Sequence, residues 1–236
     1  LPEQLRRRGF RVLAVDTQRG GGAHDMLRRE VAEVVSNLLR SGEVDGLFLT
    51  PPHASYEPDH RPQLRSRREP LGIAEARQPS SRWRAYLEKH NRLEAVTASL
   101  ARLAETHGVP WVIAHPADRG ARGAPAWHAE LAHHTPLWRM PHVRSLMSDT
   151  SAGTYSFAAG GSDMPWQGWT TVLGSSLMAG ALRPLHEWGM AGRAQAGHGH
   201  GGTPAHLPSF LAEALWQVSA HSAGVPETDG ATWPAS

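Results

Sequence analysis

Short apolar runs alternate with longer stretches of helical periodicity along the first half of the chain. Three runs, at 11–16, 46–49 and 109–114, predict buried strands, because each is short, apolar and followed by polar residues, glycine or proline. Between these runs, apolar residues at helical spacing predict helices over about 27–39 and 82–107. This alternation of strand and helix favours right-handed parallel units.

The predicted fold class is therefore α/β, with a mostly parallel sheet and helices on both faces. A further strand is predicted at 170–173, and segment 57–82, rich in Pro, Arg and Ser, is predicted to be a long loop. We expect one α/β domain over 1–190. Residues 191–236 are expected to comprise a Gly/His-rich segment, a short helix over about 210–218 and a disordered tail.

The strand at 46–49 leads into the most informative local pattern, Thr50-Pro51-Pro52-His53-Ala54-Ser55. The carboxyl ends of strands form the ligand-binding edge of open α/β sheets. Two prolines fix φ and remove two backbone donors, so we expect the neighbouring polar side chains to be held in place. The strand at 109–114 repeats the pattern with His115-Pro116, which predicts that His115 faces the same cleft.

The amino-acid composition excludes some classes of functional site. The chain has 236 residues, a net charge of +2, 40% hydrophobic residues, fifteen histidines and no cysteine. Without cysteine, disulfides, thiolate metal sites and cysteine nucleophiles are excluded, and imidazole becomes the main group for proton transfer. No apolar run reaches the roughly 18 residues that span a bilayer. We see no secretory signal and expect an intracellular protein, with the nucleus as one option.

The order of these motifs resembles that of cytosine-C5 DNA methyltransferases, within the S-adenosylmethionine-dependent methyltransferase superfamily. The most similar form is the degenerate methyltransferase-like domain of algal genomes and mobile elements. The resemblance covers about residues 10–190 and implies a Rossmann-like methyltransferase fold, S-adenosylmethionine as cofactor and DNA as substrate. It depends on the order of five segments, 50–55, 64–66, 109–120, 135–141 and 166–171.

The resemblance also implies roles for individual residues. Asp16 aligns with the acid that binds the cofactor ribose, and Asp25 lies where an acid often contacts the adenine. Without the resemblance, Asp16 is a strand-end turn residue and Asp25 a helix cap. The residues expected to form the base pocket are Thr50, Pro52, His53 and Ser55. His115 is expected to face the same pocket from the neighbouring strand. The residues expected to contact phosphate are Arg65, Arg67 and Arg68.

Two departures from the family concern the chemistry itself. His53 occupies the position of the nucleophilic cysteine, and Ala114 occupies that of the catalytic glutamate. A histidine is a poor substitute for a thiolate that adds to the base. The family's glycine-rich first motif does not precede these segments, so we expect a sheet that is incomplete at its amino end. We therefore expect no C5 methylation.

Three alternatives remain open. His53 can serve as a stacking platform for a flipped base, as the aromatic residue does in polar-Pro-Pro-aromatic motifs of amino-methyltransferases. The histidines at 198, 200 and 206, or His133 and His134, can bind metal, although we expect these to be solvated loops and expect no metal. The Arg-rich loop 61–84 can bind nucleic acid without catalysis or belong to a scaffold, or its arginines can pair with neighbouring acids.

Overall fold

A single four-stranded sheet forms the centre of the protein. The structure is a computed structural model that describes residues 2–124, 126–158, 169–184 and 207–222, with side chains described at 210–218 in the last of these ranges. The strands are β1 (Leu47–Leu49), β2 (Trp111–Pro116), β3 (Gly153–Ala158) and β4 (Trp169–Gly174), in the spatial order β1-β2-β4-β3. β1 runs parallel to β2, whereas β4 is antiparallel to both of its neighbours.

The mixed sheet confirms the α/β class and corrects the expectation of a mostly parallel sheet. Two of the three strand pairings that the structure describes are antiparallel. Both involve β4, which follows β3 directly among the strands of this sheet, so the two can pair without a helical crossover. The sequence analysis missed β3 because its sequence, GTYSFA, is too polar to be read as an apolar run.

The strand predicted at 11–16 is also corrected, because these residues form no strand among the described part of the chain. Phe10 and Val12 pack against the core, but Leu13 is 64% exposed. The segment ends at Asp16, which caps the short helix that follows. Residues 11–16 therefore contribute apolar side chains to the core but do not pair with the sheet through backbone hydrogen bonds.

The predicted helices are present, with additional short ones. The helices predicted over 27–39, 82–107 and 210–218 correspond to α3 (Arg29–Ser41), α5 (Arg84–Thr106) and α7 (Leu207–Ser222). Gly42, in the left-handed conformation with φ 73°, ends α3 as a helix-terminating glycine does. Residues 179–184 are also helical, and the other labelled helices are α1 (Pro2–Arg7), α2 (Thr17–Gly20), α4 (Ala74–Arg77) and α6 (Pro141–Asp149).

Helices cover both faces of the sheet, as predicted. Successive strand residues point to opposite faces, so Trp111 and Ile113 belong to one core and Val112 to the other. The first core contains residues of α5 and α6, and the second contains residues of α7. The helix expected near the carboxyl end therefore packs on the sheet. The Gly/His-rich part of 191–206 and the predicted tail at 223–236 lie outside the described residues.

None of the helices within the described ranges is long and apolar enough to cross a membrane.

Candidate functional site

The loop after β1 places His53 in solvent at the carboxyl edge of the parallel strands. Thr50, Pro52 and His53 are exposed, whereas the following turn Ala54–Tyr56 enters the interior. His53 Nε2 lies 3.1 Å from the Glu57 carboxylate, and the two side chains are 59% and 50% exposed. This contact places a carboxylate beside Nε2 and leaves the opposite ring nitrogen, Nδ1, for other contacts.

The Arg65 side chain supports this loop from the interior of the protein. Its side chain is buried, its Nε donates to the Ser55 carbonyl at 3.2 Å, and its Nη2 donates to the Ser55 hydroxyl at 3.1 Å. The guanidinium lies 4.4 Å from the ring centre of Tyr56, and Nη1 donates to Asn91 Oδ1 at 2.8 Å. Burial lowers the pKa of Arg65. Ser55, predicted to line a base pocket, is itself buried and engaged in this support.

These contacts correct the expectation that Arg65 and Arg67 bind phosphate. The donors of Arg65 point inward to Ser55, Asn91 and the Pro70 carbonyl. Arg67 forms two parallel hydrogen bonds with Asp118, of 3.0 and 3.1 Å, and a third with the His134 carbonyl. Both guanidinium groups therefore donate to acceptors within the protein, and amino-acid composition alone does not reveal this role. Only Arg68 of the three is exposed, and it has no partner among the described residues.

Asp118 joins the loop after β2 to the rest of the site. Besides Arg67, it accepts hydrogen bonds from Arg139 Nε at 3.1 Å and from the Gly120 N–H at 3.0 Å. Burial alone would raise the pKa of this carboxyl, but these hydrogen bonds and the charge of Arg67 outweigh burial and lower it. Asp118 is thus a fixed carboxylate rather than a proton donor. It lies just beyond β2, separated from Pro116 by Ala117 alone, and this position near a strand end is the signal that could have identified it.

His134 ties the two loops together. Its Nδ1 accepts from the Arg119 backbone N–H at 3.1 Å, so the proton lies on Nε2, which donates to the Tyr56 carbonyl at 2.9 Å. Burial lowers the pKa of His134 to about 4, so this neutral tautomer persists at physiological pH. The imidazole therefore acts as a neutral clamp between the loop after β1 and the loop after β2.

Arg119 is a cation that the sequence analysis overlooked. It follows Asp118 and is half-buried, and burial lowers the pKa of its guanidinium while the negative charges of Asp59 and Glu57 act in the opposite direction. Its Nε is buried and has no partner among the described residues. Because the charges of Asp59 and Glu57 act on this guanidinium, Arg119 contributes a positive charge to the region around the loop after β1.

His115 lies beneath the loop rather than in an open cleft. It is 3% exposed, and its ring stands edge-on to Tyr56 at 5.2 Å and to Trp138 at 6.1 Å. Burial lowers the pKa of His115 to about 3, so the ring is neutral. Ala114, aligned with the catalytic glutamate, packs against the α7 core on the opposite face of the sheet. A glutamate at position 114 would therefore point away from His115.

Asp16 and Asp25 occupy turns. Asp16 Oδ1 accepts from the Gln18 N–H at 2.9 Å and caps α2, while Asp25 Oδ1 accepts from the Leu27 N–H at 3.0 Å. Asp16, expected as a strand-end turn residue, is thus a helix cap, whereas Asp25, expected as a helix cap, forms a turn, because Arg28 is the N-cap of α3. With their carboxylates bonded to local backbone N–H groups, the two residues do not form a cradle that fits S-adenosylmethionine.

Two hollows flank the site. A groove of about 410 Å³ lies between the Arg-rich loop and α5, with Leu71, Pro79 and Leu87 in its floor and Arg77 and Arg84 beside it. Arg77 is paired with Glu69 at 3.2 Å and Arg84 with Glu88 at 2.8 Å. A smaller cleft of about 120 Å³ borders Trp138, Asp118, Ser156 and Thr171.

No group of three or more metal-ligating side chains occurs within the described ranges. His133 is exposed, and His134 is used as the clamp between loops. The tract containing the histidines at 198, 200 and 206 lies outside those ranges, so the metal alternative for it remains a hypothesis.

No protein-family model, curated protein or solved structure matches this chain. Arguments about function therefore depend on the sheet topology and the residues around the Pro51-Pro52-His53 loop.

Proposed function

We propose that this protein is a degenerate DNA methyltransferase-like domain, which has lost C5 methyl transfer and uses the loop 50–57 to contact a nucleobase. The observation that carries the proposal is the support of an exposed histidine, at the carboxyl edge of parallel strands, by buried polar side chains. Arg65 and His134 both bind the backbone of this loop. Rigid support of an exposed ring is what a recognition site requires.

The strand arrangement supports the fold part of the proposal, a Rossmann-like methyltransferase fold. In the order β1-β2-β4-β3, the antiparallel strand β4 lies between two strands that run in the same direction. This arrangement is similar to the carboxyl-terminal half of the sheet in S-adenosylmethionine-dependent methyltransferases. A fold resemblance does not establish an activity, so the functional argument depends on the site.

The site supports binding better than methyl transfer. His53 Nε2 lies beside the Glu57 carboxylate, and neither Ala114 nor His115 supplies the carboxylate that C5 methyl transfer uses. An imidazole ring offers an aromatic face on which an unstacked base can lie. Arg119, next to Glu57, provides a cation for the adjoining phosphate. The proposed ligand is therefore a single-stranded or locally opened nucleic acid.

Fluorescence anisotropy with short labelled DNA and RNA strands tests this proposal. We expect His53→Ala and Arg119→Gln to weaken binding severalfold, because they remove the stacking face and the phosphate contact. His107→Ala is the matched control. His107 is an exposed histidine at the carboxyl end of α5, near the amino end of β2 and so at the opposite edge of the sheet from His53. Equal affinities for all three variants would contradict a site at this loop.

Calorimetric titration of S-adenosylmethionine and S-adenosylhomocysteine tests the loss of methyl transfer. We expect no saturable heat up to millimolar ligand, because the Asp16 and Asp25 carboxylates both hydrogen-bond to backbone N–H groups of their own turns. Micromolar binding would contradict this expectation and would restore an S-adenosylmethionine-dependent enzyme as the better proposal. Methylation assays on cytosine-containing DNA would then follow.

A second candidate function is nucleic-acid binding by the Arg-rich loop 61–84. Five of its seven arginines are exposed, namely Arg61, Arg68, Arg77, Arg82 and Arg84. If they bind phosphates, affinity falls steeply with salt, and Arg68→Gln combined with Arg82→Gln makes that dependence shallower. Arg40→Gln, at an exposed position of α3, is the control. Normal binding by the double variant would favour the site at His53.

A further inference from the structure

Three aromatic rings below the loop 50–57 carry buried polar atoms that lack partners. Tyr56 Oη, His90 Nδ1 and both ring nitrogens of His115 are enclosed and make no well-aligned hydrogen bond among the described residues, although the backbone carbonyls of Pro52 and Pro116 lie close enough to His115 to raise its pKa against the effect of burial. The Tyr56 ring centre lies 5.2 Å from that of His115 and 6.4 Å from that of His90. The unpaired atoms therefore belong to one cluster of rings around Tyr56.

Such a cluster requires an additional binding partner. Nearly all buried polar groups in native proteins are hydrogen-bonded, because an unpaired buried donor or acceptor keeps the full penalty of losing water. A neutral imidazole has one N–H, so these carbonyls can satisfy at most one nitrogen of His115, and at least three of the four atoms remain unpaired on adjoining rings. When protein groups do not satisfy such atoms, enclosed water molecules commonly do.

The available atoms define the chemistry of the partner. A neutral imidazole has one donor and one acceptor nitrogen, and the carbonyls of Pro52 and Pro116 beside His115 can only accept. The second nitrogen of His115 therefore needs a donor. The Tyr56 hydroxyl, whose pKa is raised to about 12 by burial, can both donate and accept. A small partner with both capacities fits these rings.

The surrounding charges favour a neutral partner. Arg65 lies over the Tyr56 ring, and Glu94 is fully buried and close enough for its negative charge to act on Tyr56. One positive and one negative group thus flank the cluster. Neither a cation nor an anion gains from entering between them, whereas water carries no charge and can both donate and accept hydrogen bonds.

We propose that Tyr56, His90 and His115 form an internal hydration site, in which ordered water bonds to the three rings and supports the loop 50–57 from within. This site does not depend on the proposed function. It makes enclosed water a structural component of the support that also includes Arg65 and His134.

A double-mutant cycle with Tyr56→Phe and His115→Leu tests the proposal. Tyr56→Phe removes only the hydroxyl oxygen and keeps the ring packing, so we expect a folded protein even if the His115 variant fails to fold. We expect Tyr56→Phe to lower the folding equilibrium constant at least fivefold, because bound water loses a partner. The double variant should lose less than the product of the two single losses, since both residues share water.

The opposite sign would overturn the proposal. If the hydroxyl were truly unpaired, Tyr56→Phe would leave stability unchanged or increase it, because a desolvated group is removed. Tyr155→Phe is the control: its hydroxyl donates directly to the Ala179 carbonyl, so its loss should not couple to His115. Magnetisation transfer from long-lived water to the Tyr56 and His115 ring protons should be present, and its absence would also overturn the proposal.

Discussion

Arg65 is joined to Ser55 twice, through the backbone carbonyl at 3.2 Å and through the hydroxyl at 3.1 Å. The same guanidinium reaches Asn91 of α5, so a single buried cation connects the loop after β1 with the longest helix. The Arg65 side chain thereby links the loop to a helix from a later part of the chain.

Removing this cation should destabilise the protein strongly. Arg65→Met keeps the apolar stem but leaves the acceptors on Ser55, Pro70 and Asn91 unpaired, and we expect a loss of about 3 kcal/mol in the free energy of unfolding. Urea unfolding followed by circular dichroism measures it. Arg68→Met, at an exposed neighbouring arginine, should change stability by no more than about 0.5 kcal/mol. Equal effects of the two substitutions would show that Arg65 does not support the loop.

Stability should fall as the pH decreases below about 6.5. Burial lowers the pKa of His134 and His90 to about 4 and of His115 to about 3, whereas the unfolded chain binds these protons near 6.5. Protons therefore bind the unfolded state preferentially between about 6.5 and 4, and this favours unfolding. These histidines contribute no pH dependence above neutrality.

Urea midpoints measured from pH 8 to 4.5 check this expectation. His134→Gln should reduce the acid dependence, because glutamine does not titrate. His107→Gln should leave the dependence unchanged, since His107 is exposed. A midpoint that stays constant from pH 7 to 4.5 in the unmodified protein would contradict burial of three neutral imidazoles.

Glu94 should matter for α6 although it lies in α5. Its Oε1 accepts from the Val143 N–H at 2.9 Å and its Oε2 from His142 Nδ1 at 2.8 Å, so it caps the first turn of a neighbouring helix. Glu94→Gln should destabilise the protein by about 1–2 kcal/mol, because one carboxylate acceptor is replaced by a donor. Thermal unfolding compares it with Glu88→Gln, an exposed change in the same helix. A smaller loss for Glu94→Gln than for Glu88→Gln would refute the cap.

Restoring a cysteine at position 53 should not restore C5 chemistry. His53→Cys introduces the only thiol of the chain, and alkylation should confirm that it is exposed. We expect no covalent complex with DNA that contains 5-fluorocytosine, because Ala114 lies on the opposite face of the sheet and supplies no acid. Formation of a stable adduct that depends on S-adenosylmethionine would contradict the proposal that this domain lacks methyl transfer.

Local periodicity was sufficient to predict the elements that bury a regular apolar pattern. The helices α3 and α5 and the strands β1, β2 and β4 all follow such patterns, and all are present. The polar strand β3 escaped because its place depends on pairing with β4, and pairing is a non-local property. For the same reason, the expectation of a mostly parallel sheet was wrong.

The residues of the candidate site likewise differ in whether local sequence determines their position. The exposure of His53 at a strand end follows from local sequence, since two prolines set the path of the chain. The burial of Arg65 does not, because its partners lie 10 and 26 residues away in sequence. Similarly, Arg67 is fixed by Asp118, 51 residues distant, so an Arg-rich segment contained two internal braces that composition could not distinguish from surface charges.

The side chains that support the loop are different from the side chain that the loop exposes to solvent. Arg65 and His134 hold the backbone at Ser55 and Tyr56, while His53 contacts only Glu57 among the described side-chain pairs. Position 53 is therefore free to vary without loss of the loop. For protein engineering, it is an attachment point where a new nucleophile, fluorophore or chelating side chain can be grafted onto a rigid base.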